Sequence, residues 1–526
     1  MFKFSSIFKF GPIQNFTPAA FLIGGLSLVS SILGMIRDRI LAAHFGAGEA
    51  LDIYYAAFRL PDLIFNILIF GALSSAFVPV FSQYLTKNKK QALKIASYVL
   101  NLVLISILFI SLICVILAPY LVKMIVPGFT VEKLQTTVEL TRIMFLSPIL
   151  LSISGVFSGI LTTFKRFLIY ALAPIMYNLG IIGGIYIFVP EIGIHGLAWA
   201  VVLGAFCHML IQLPGAISSG FRFSLKFNLR NKAIRKIGRL MIPRSLSLMV
   251  NQFNLLFATI IASTLMAGSL AVFNLANNLA GIPLTIFGAP FAVAVFPVLA
   301  FAFNQKNIKK FKHVFSKAFI RISFFVIPST VMVLVLRAQL VRLVLGTGNF
   351  DWQDTVLTFQ VLGFLALSLF FQSLIPLISR AFFALHNTWV PFISGLIAAV
   401  VNVTLAFLLS KTMGIGGVAL AFSISQTLNL LIMLVILHVR LKGFEDQKIL
   451  STITKIVLAS IAMGIAVQAA KYIVGLNIGT DTSFKIFAQT AISSFGGVAT
   501  FLILAWCLGI KEVGAVKILL GKLVKK

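Results

Sequence analysis

The sequence predicts an all-α polytopic membrane protein of fourteen transmembrane helices, arranged as two six-helix lobes in parallel pseudo-repeat plus two C-terminal helices. Three observations predict it. Of 526 residues, 60% are hydrophobic and only 11% charged, with a mean hydropathy of +1.05. A soluble domain carries roughly 25% charged residues, so too little polar surface exists here to cover a water-soluble fold. The apolar residues fall into runs of about 20 or more, the length that crosses a bilayer core, where a helix satisfies its own backbone groups. The loops between the runs alternate in charge.

The spans follow in order. The run 21–43 opens after Lys3 and Lys9 and contains Arg37, Asp38 and Arg39 without a small-residue cleavage site, so it reads as a retained helix and not a removable signal peptide. Span 2, at 54–84, carries Arg59, Pro61, Asp62 and Pro79. Spans 3 to 6 lie at 95–118, 136–162, 168–189 and 193–217, bounded by basic, Gly/Pro or acidic breaks. The second six lie at 240–264, 271–303, 318–345, 355–384, 390–410 and 414–437, and runs at 453–474 and 486–509 complete the count. The expected domains are an N-terminal lobe at 1–220, a C-terminal lobe at 221–445, and a terminal helix pair at 446–526 that ends in a basic tail.

Net charge is +30, and its distribution sets orientation. Lysines and arginines crowd the tails and even-numbered loops, as at 87–94, 222–239 and 306–317, while the opposite loops hold only Lys123, Lys133, Lys411, Lys471 and Lys485. Glu49, Asp52, Glu132, Glu191, Asp351, Asp354 and Asp481 sit on those opposite loops. By the positive-inside rule both termini are then cytoplasmic. Nucleic acid is argued against, because the basic residues are spread over separate loops without a reading motif; contact with anionic membrane lipids is expected instead. Cys114, Cys207 and Cys507 sit alone in apolar runs, which indicates neither a disulfide framework nor a zinc site.

Self-similarity at a period of about 220 residues supports the two lobes. Glu191-Ile-Gly-Ile-His-Gly-Leu-Ala198 recurs as Thr412-Met-Gly-Ile-Gly-Gly-Val-Ala419, Ala47-Gly48 as Ala267-Gly268, and Phe77-Val-Pro-Val80 as Val295-Phe-Pro-Val298. Parallel repeats related by an axis along the membrane normal are a transporter plan with the site at mid-membrane. Spans 13 and 14 fall outside the repeat.

Ionisable residues within spans cost at least about 2.5 to 3.5 kcal/mol each and so mark function by default. The richest cluster is Arg37, Asp38 and Arg39 with Arg59 and Asp62, and Asp52 just outside. Two readings stay open: internal ion pairs that fix helix packing, or an electropositive cavity for an anionic head group, which the planar fork of arginine suits. Glu139 and Arg142 are spaced as a structural i, i+3 pair, and Arg337, Arg342 and Arg380 read as snorkelling residues. Asn274, Asn277 and Asn278 form a polar patch in span 8, the counterpart of span 2, able to line a cavity or to bond a neighbouring helix. Prolines 61 and 79 in span 2, and 283, 290 and 297 in span 8, predict that both members of this repeat pair are broken helices. The six histidines show no ligand spacing, and no hydrolase, Walker A or dinucleotide fingerprint occurs. Neither enzyme chemistry nor a cofactor is expected, and a scaffold or an intramembrane transferase stands as the competing class.

Leu33-Gly-Met-Ile-Arg-Asp38, Phe45-Gly-Ala-Gly48 with Asp52, Ala57-Phe-Arg-Leu-Pro61, Gly71-Ala72 and Ala76-Phe-Val-Pro79 resemble the N-terminal signature of the MurJ (MviN) lipid II flippases of the MOP exporter superfamily. Gly196-Leu-Ala-Trp199, Pro243-Arg244 with Val250-Asn-Gln252, and Arg380-Ala-Phe-Phe-Ala-Leu385 with Thr388 continue the resemblance along the chain. It implies two six-span lobes forming a V, with spans 13 and 14 shaping a groove for a polyprenyl tail. It also implies the function: moving lipid II, the undecaprenyl-pyrophosphate-linked peptidoglycan precursor, from the cytoplasmic to the outer leaflet of a bacterial cell membrane by alternating access. Peptidoglycan-synthesis proteins are then natural partners. Carried over by position, Arg37 matches the family's cavity arginine, Asp38 and Asp52 its acidic positions, and Arg59 a place where Lys or Arg is usual. Ser31, Phe65 and Asn278 depart from it, standing where members carry further cavity arginines, and a flippase for another polyprenyl-pyrophosphate-linked saccharide is the runner-up. With Asn277 and Asn278 from the span 8 patch, the candidate substrate-binding residues are Arg37, Asp38, Asp52, Arg59, Asn277 and Asn278.

Overall fold

The computed structural model describes residues 16–67, 71–226, 228, 230–479 and 482–514, and among these forms nineteen α-helices and no strand. Asp481 and the tail residues Lys3, Lys9, Lys517, Lys522, Lys525 and Lys526 lie outside the described residues, as do the side chains of Ala72, Pro243, Arg244, Val250 and Asn251. Ten helical segments are long and apolar enough to cross a membrane, and a bent pair supplies an eleventh. The chain is thus an all-α polytopic membrane protein. Among the described residues, helices overlap each of the fourteen apolar runs.

In chain order the helices are α1 (Phe16–Phe45), α2 (Glu49–Phe65), α3 (Gly71–Leu85), α4 (Lys89–Ile116), α5 (Ala118–Ile125), α6 (Val131–Met144), α7 (Leu146–Thr163), α8 (Phe167–Ile192), α9 (His195–Ser218) and α10 (Lys232–Ser263). There follow α11 (Ser269–Pro283), a π-helical segment (Leu284–Gly288), α12 (Ala289–Asn304), α13 (Ile308–Val344), α14 (Trp352–Ala366), α15 (Leu369–Ala384), α16 (Trp389–Met413), α17 (Ile415–Leu441), α18 (Asp446–Ile478) and α19 (Ser483–Cys507). Polar loop residues start many of them. Asn88, Asn231, Asn307 and Asp351 each accept a backbone N–H of the first turn of the helix that follows, which satisfies a donor that has no partner inside the helix.

The proline-bearing spans are broken as expected, and at equivalent places. Span 2 becomes α2 and α3 with a π-turn at 66–67, and span 8 becomes α11 and α12 around the π-segment 284–288. Spans 4 and 10 are interrupted as well. The first divides at Phe145 into α6 and α7, the second at 367–368 into α14 and α15 with a bend of 43°. Ser147 Oγ donates to the Met144 carbonyl and Ser368 Oγ to the Leu365 carbonyl, at 2.8 and 2.9 Å, so the two breaks are stitched alike 221 residues apart. The corners after α8 and α16 match too. Gly193 (φ +58°) and Gly414 (φ +55°) adopt a backbone open in practice only to glycine, and a Cβ at Gly196 or Gly417 would strike the backbone of Phe188 or Leu409 at 2.6 and 2.3 Å. The repeat read from the sequence therefore has a backbone counterpart.

Two compact units divide the chain: Met1–Leu41 with Ala47–Ala271, and Ala42–Gly46 with Val272–Lys526. In the first, α8 and α9 approach closely because small residues meet: a Cβ on Gly180 would lie 2.7 Å from Gly204 Cα, and one on Gly184 2.6 Å from Ala200 Cα. Lipid offers helices no hydrophobic reason to associate, so close backbone approach of this kind supplies the dispersion that holds them. Phe77, Phe81, Ile95 and Ile160 are fully buried where α3, α4 and α7 meet. In the second unit α12, α13, α15 and α17 enclose Phe311, Phe315, Leu377 and Phe382. There α18 and α19 pack on α13 through Phe324, Leu336, Ile456, Met463 and Phe501.

Candidate functional site

The charges of spans 1 and 2 take three separate settings within the first unit. Arg37 lies on α1 one residue before Asp38, and neighbours in a helix do not normally face each other. The length of arginine overcomes this: Nε and Nη2 both donate to Asp38 Oδ1, at 3.1 and 2.8 Å. Nη1 donates to Asn178 Oδ1 on α8 at 3.3 Å, and Asn178 Nδ2 donates in turn to the carbonyls of Ser30 and Pro174. Tyr54, Tyr55 and Tyr177 lie within electrostatic reach of the guanidinium. The Arg37 side chain nevertheless stays 21% exposed, against 7% for Asp38. Of its five N–H groups, these bonds use three. Among the described residues two remain for an outside oxygen.

Asp52 has a different setting. It lies in the first turn of α2, 3% exposed, and its carboxylate accepts the Gly268 N–H at 2.7 Å and the Ala271 N–H at 2.9 Å. It thereby caps α11, the repeat counterpart of its own helix, where unsatisfied N–H groups and the helix dipole favour a carboxylate. Lys133 Nζ stands 3.7 Å from Asp52 and 3.3 Å from Glu49. Ala47-Gly48 and Ala267-Gly268, read as repeats, are also neighbours: a Cβ on Gly268 would lie 1.9 Å from the Ala47 carbonyl oxygen.

Arg59 is 7% exposed and donates from Nε to Thr259 Oγ1 at 2.9 Å. Asp62, one turn on, accepts from Asn66 Nδ2 at 2.7 Å, and the Arg59 and Asp62 charges act on each other. Asn277 and Asn278 lie on α11 in the second unit, half-buried and exposed respectively. Ser31, half-buried, bonds back to the Ser27 carbonyl, and Phe65 packs against the α3–α4–α7 core. The Glu139–Arg142 pair expected from spacing is not what forms. Glu139 bonds His195 at 2.9 Å, while Arg142 Nε donates to the Val115 carbonyl, because the α8–α9 corner brings His195 beside α6. Arg337 and Arg342 lie over the rings of Phe359 and Trp352 at 5.8 and 5.6 Å.

Sequence reasoning missed Asn178 and the three tyrosines. An amide in mid-span is the signal that was available for Asn178, since a buried polar side chain in hydrocarbon requires partners. Among the described residues no group of three His, Cys, Asp or Glu side chains comes together as a metal-holding set. What the cluster offers is a fixed, partly open guanidinium, oriented from both sides and surrounded by hydroxyl-bearing rings. Such a group binds phosphate oxygens through charge-assisted bonds.

Residues 41–488 match the family model described as lipid II flippase MurJ. A probable lipid II flippase MurJ of Buchnera aphidicola subsp. Baizongia pistaciae is 29% identical over 371 residues, covering 69% of this chain and 72% of the relative. The lipid II flippase MurJ of Burkholderia cenocepacia is 26% identical over 381 residues, covering 70% and 74%. A solved structure of lipid II flippase MurJ in an inward closed conformation superposes with a TM-score of 0.75 at 25% identity, over 92% of this chain and 98% of that one. An inward-facing MATE multidrug transporter of the MOP superfamily shares the fold, at a TM-score of 0.68 and 18% identity over 78% and 94%.

Proposed function

The chain belongs to the MurJ family of lipid II flippases, and from that premise we propose that Arg37, held by Asp38 and Asn178, receives the pyrophosphate of lipid II during its passage across a bacterial cell membrane. The protein is a transporter and not an enzyme, embedded as a multi-pass membrane protein. The family match over residues 41–488 carries the substrate class, and favours lipid II over another polyprenyl-linked saccharide. For the site, the supporting observation is an Arg37 side chain left 21% exposed, with two N–H groups unspent among the described residues.

The physical need is plain. Moving a pyrophosphate unaided through hydrocarbon costs on the order of tens of kcal/mol by ion solvation, so the carrier must offer a wet, cationic path that opens to each leaflet in turn while the tail stays in lipid. We place this chain in that scheme with fourteen spans, cytoplasmic termini, the lobes 1–220 and 221–445, and a terminal pair at 446–526. Arg59, Asn277 and Asn278 are further candidates to meet the head group. Asp52 serves as the cap of α11 and so holds one state of the cycle. The basic loops face anionic lipid heads, and peptidoglycan-synthesis proteins deliver and collect the cargo.

The test is complementation of a flippase-depleted strain. Arg37→Ala abolishes rescue at normal protein level, whereas Arg142→Ala, which removes one bond to a backbone carbonyl, is tolerated. Equal tolerance of both substitutions would return the cluster to a packing role.

A further inference from the structure

Beyond α9 the chain does not pass straight into α10. Residues 221–226, Phe-Arg-Phe-Ser-Leu-Lys, run without helix or strand pairing and alternate apolar with polar side chains. Their backbone is fastened to α4. Ser97 Oγ donates to the Ser224 carbonyl at 2.9 Å and accepts the Ser224 N–H at 3.0 Å. Asn101 Nδ2 donates to the carbonyls of Ser224 and Lys226 at 2.7 and 2.9 Å. Ser97 and Asn101 are 1% and 5% exposed, two buried polar side chains on a helix that is strongly apolar beyond Ile95. Ser97 stands about 12 Å along α4 from Lys89 at about 1.5 Å per residue, so the strap dips toward hydrocarbon, where unpaired backbone groups are costly. The two side chains make that dip possible.

Between this strap and α4, α7 and α9 lies a groove of about 500 Å³. Leu100, Leu104, Phe157, Leu213 and Phe223 line it, and Arg222 is its one charged wall residue. Lys226 and Arg230 follow, both exposed, and Lys89 Nζ lies 3.7 Å from where a Cβ on Gly220 would stand. Among the described residues no acid lines the groove. In the second unit a groove of about 720 Å³ lies between α13, α17 and α18, a helix outside the repeat; Phe319 and Leu434 stand at the repeat positions of Leu100 and Leu213, but Asp446 and His438 line it, with no Lys or Arg among its described lining residues. Two wall positions repeat; charge does not.

We propose that the first groove binds one anionic glycerophospholipid, with an acyl chain along Leu100, Leu104 and Leu213 and the phosphodiester against Arg222 and Lys226. Arginine's fork matches phosphate oxygens, and both side chains can run their stems along apolar surface and lift the charge to head-group level. The site stands apart from the Arg37 cluster and does not depend on what that cluster carries.

The test uses the full chain in nanodiscs of equimolar phosphatidylglycerol and phosphatidylcholine, with bound lipid read by native mass spectrometry. One phosphatidylglycerol is retained over phosphatidylcholine by about fivefold or more, the scale of a charge-assisted contact. Arg222→Gln with Lys226→Gln brings the ratio to about one, whereas Asp446→Asn leaves it unmoved. Equal retention of the two lipids by the unaltered chain overturns the proposal, as does a preference that survives the double substitution. If that variant fails to fold, a photoreactive phosphatidylglycerol on the unaltered chain decides. Adducts on peptides containing Leu104 or Leu213 support the site. Adducts only elsewhere, or their displacement by undecaprenyl phosphate, refute it.

Discussion

Asn178 works in two directions at once, accepting from Arg37 Nη1 while its own amide hydrogens are taken by the Ser30 and Pro174 carbonyls. Its orientation is therefore set by backbone, and it passes that rigidity to the guanidinium. Removing one partner of a buried hydrogen bond leaves the other unsatisfied, at about 1 to 3 kcal/mol. Asn178→Leu is accordingly expected to lower lipid II transport by about tenfold or more in a reconstituted assay, while the chain still inserts and purifies. Asn178→Asp should be as damaging, because a second carboxylate would compete for the two N–H groups that Arg37 keeps for its ligand. Normal transport by both variants would show that Asp38 alone orients the arginine. Arg37, Asp38 and Arg59 could be picked from the sequence because a charge in an apolar run stands out. Asn178 and Tyr54 could not, since an amide or a tyrosine among apolar residues has many ordinary explanations. Asp52 was legible as a charge, but its use as a cap depends on a backbone 216 residues away.

Breaks and corners are set by small numbers of atoms, and at this scale the repeat is most informative. The broken spans 2 and 8 were readable from their prolines, which remove a ladder bond. The break after Met144 lies four residues before Pro148, which has no N–H for the Met144 carbonyl, so Ser147 Oγ bonds it instead; the break after Ala366 has no proline beside it and rests on Ser368 bonding back to the previous turn, a pattern that hydropathy does not register. The turn at Gly268 gives the sharpest test. At φ +86° a Cβ is strained, and it would also stand 1.9 Å from the Ala47 carbonyl oxygen, so backbone must move and the bonds from Gly268 and Ala271 to Asp52 are disturbed. Gly193, at φ +58°, has the backbone strain alone, since a Cβ there meets nothing within 4 Å. Backbone strain of this kind costs about 1 to 3 kcal/mol. Gly268→Ala should then lower the apparent melting temperature in detergent by clearly more than Gly193→Ala, at about 1 °C per kcal/mol for a chain of this length. Equal shifts for both variants would mean that the turn relaxes without cost and that the Asp52 cap is not under constraint.

Features of the whole chain, namely its membrane class and its duplication, are spread over hundreds of residues, which is why composition and self-similarity reached them while single contacts stayed hidden. Net charge also bears on what drives the cycle. The head group carries a pyrophosphate outward, and a negative cell interior favours outward movement of a dianion by about 4 to 5 kcal/mol at ~100 mV, a factor of roughly 10³ in equilibrium. The cycle must then return the empty site, in which Arg37 is paired with Asp38 and Arg59 acts with Asp62, so little net charge travels back. We propose that the potential, which acts directly on the charge of the cargo, supplies work for the cycle. In proteoliposomes holding a potassium diffusion potential, negative inside, lipid II flipping should run about tenfold or more faster than after the potential is collapsed, and reversing its sign should suppress outward movement. A rate that ignores both the size and the sign of the potential, at constant protein, would remove charge movement from the mechanism and leave the cargo gradient alone to drive it.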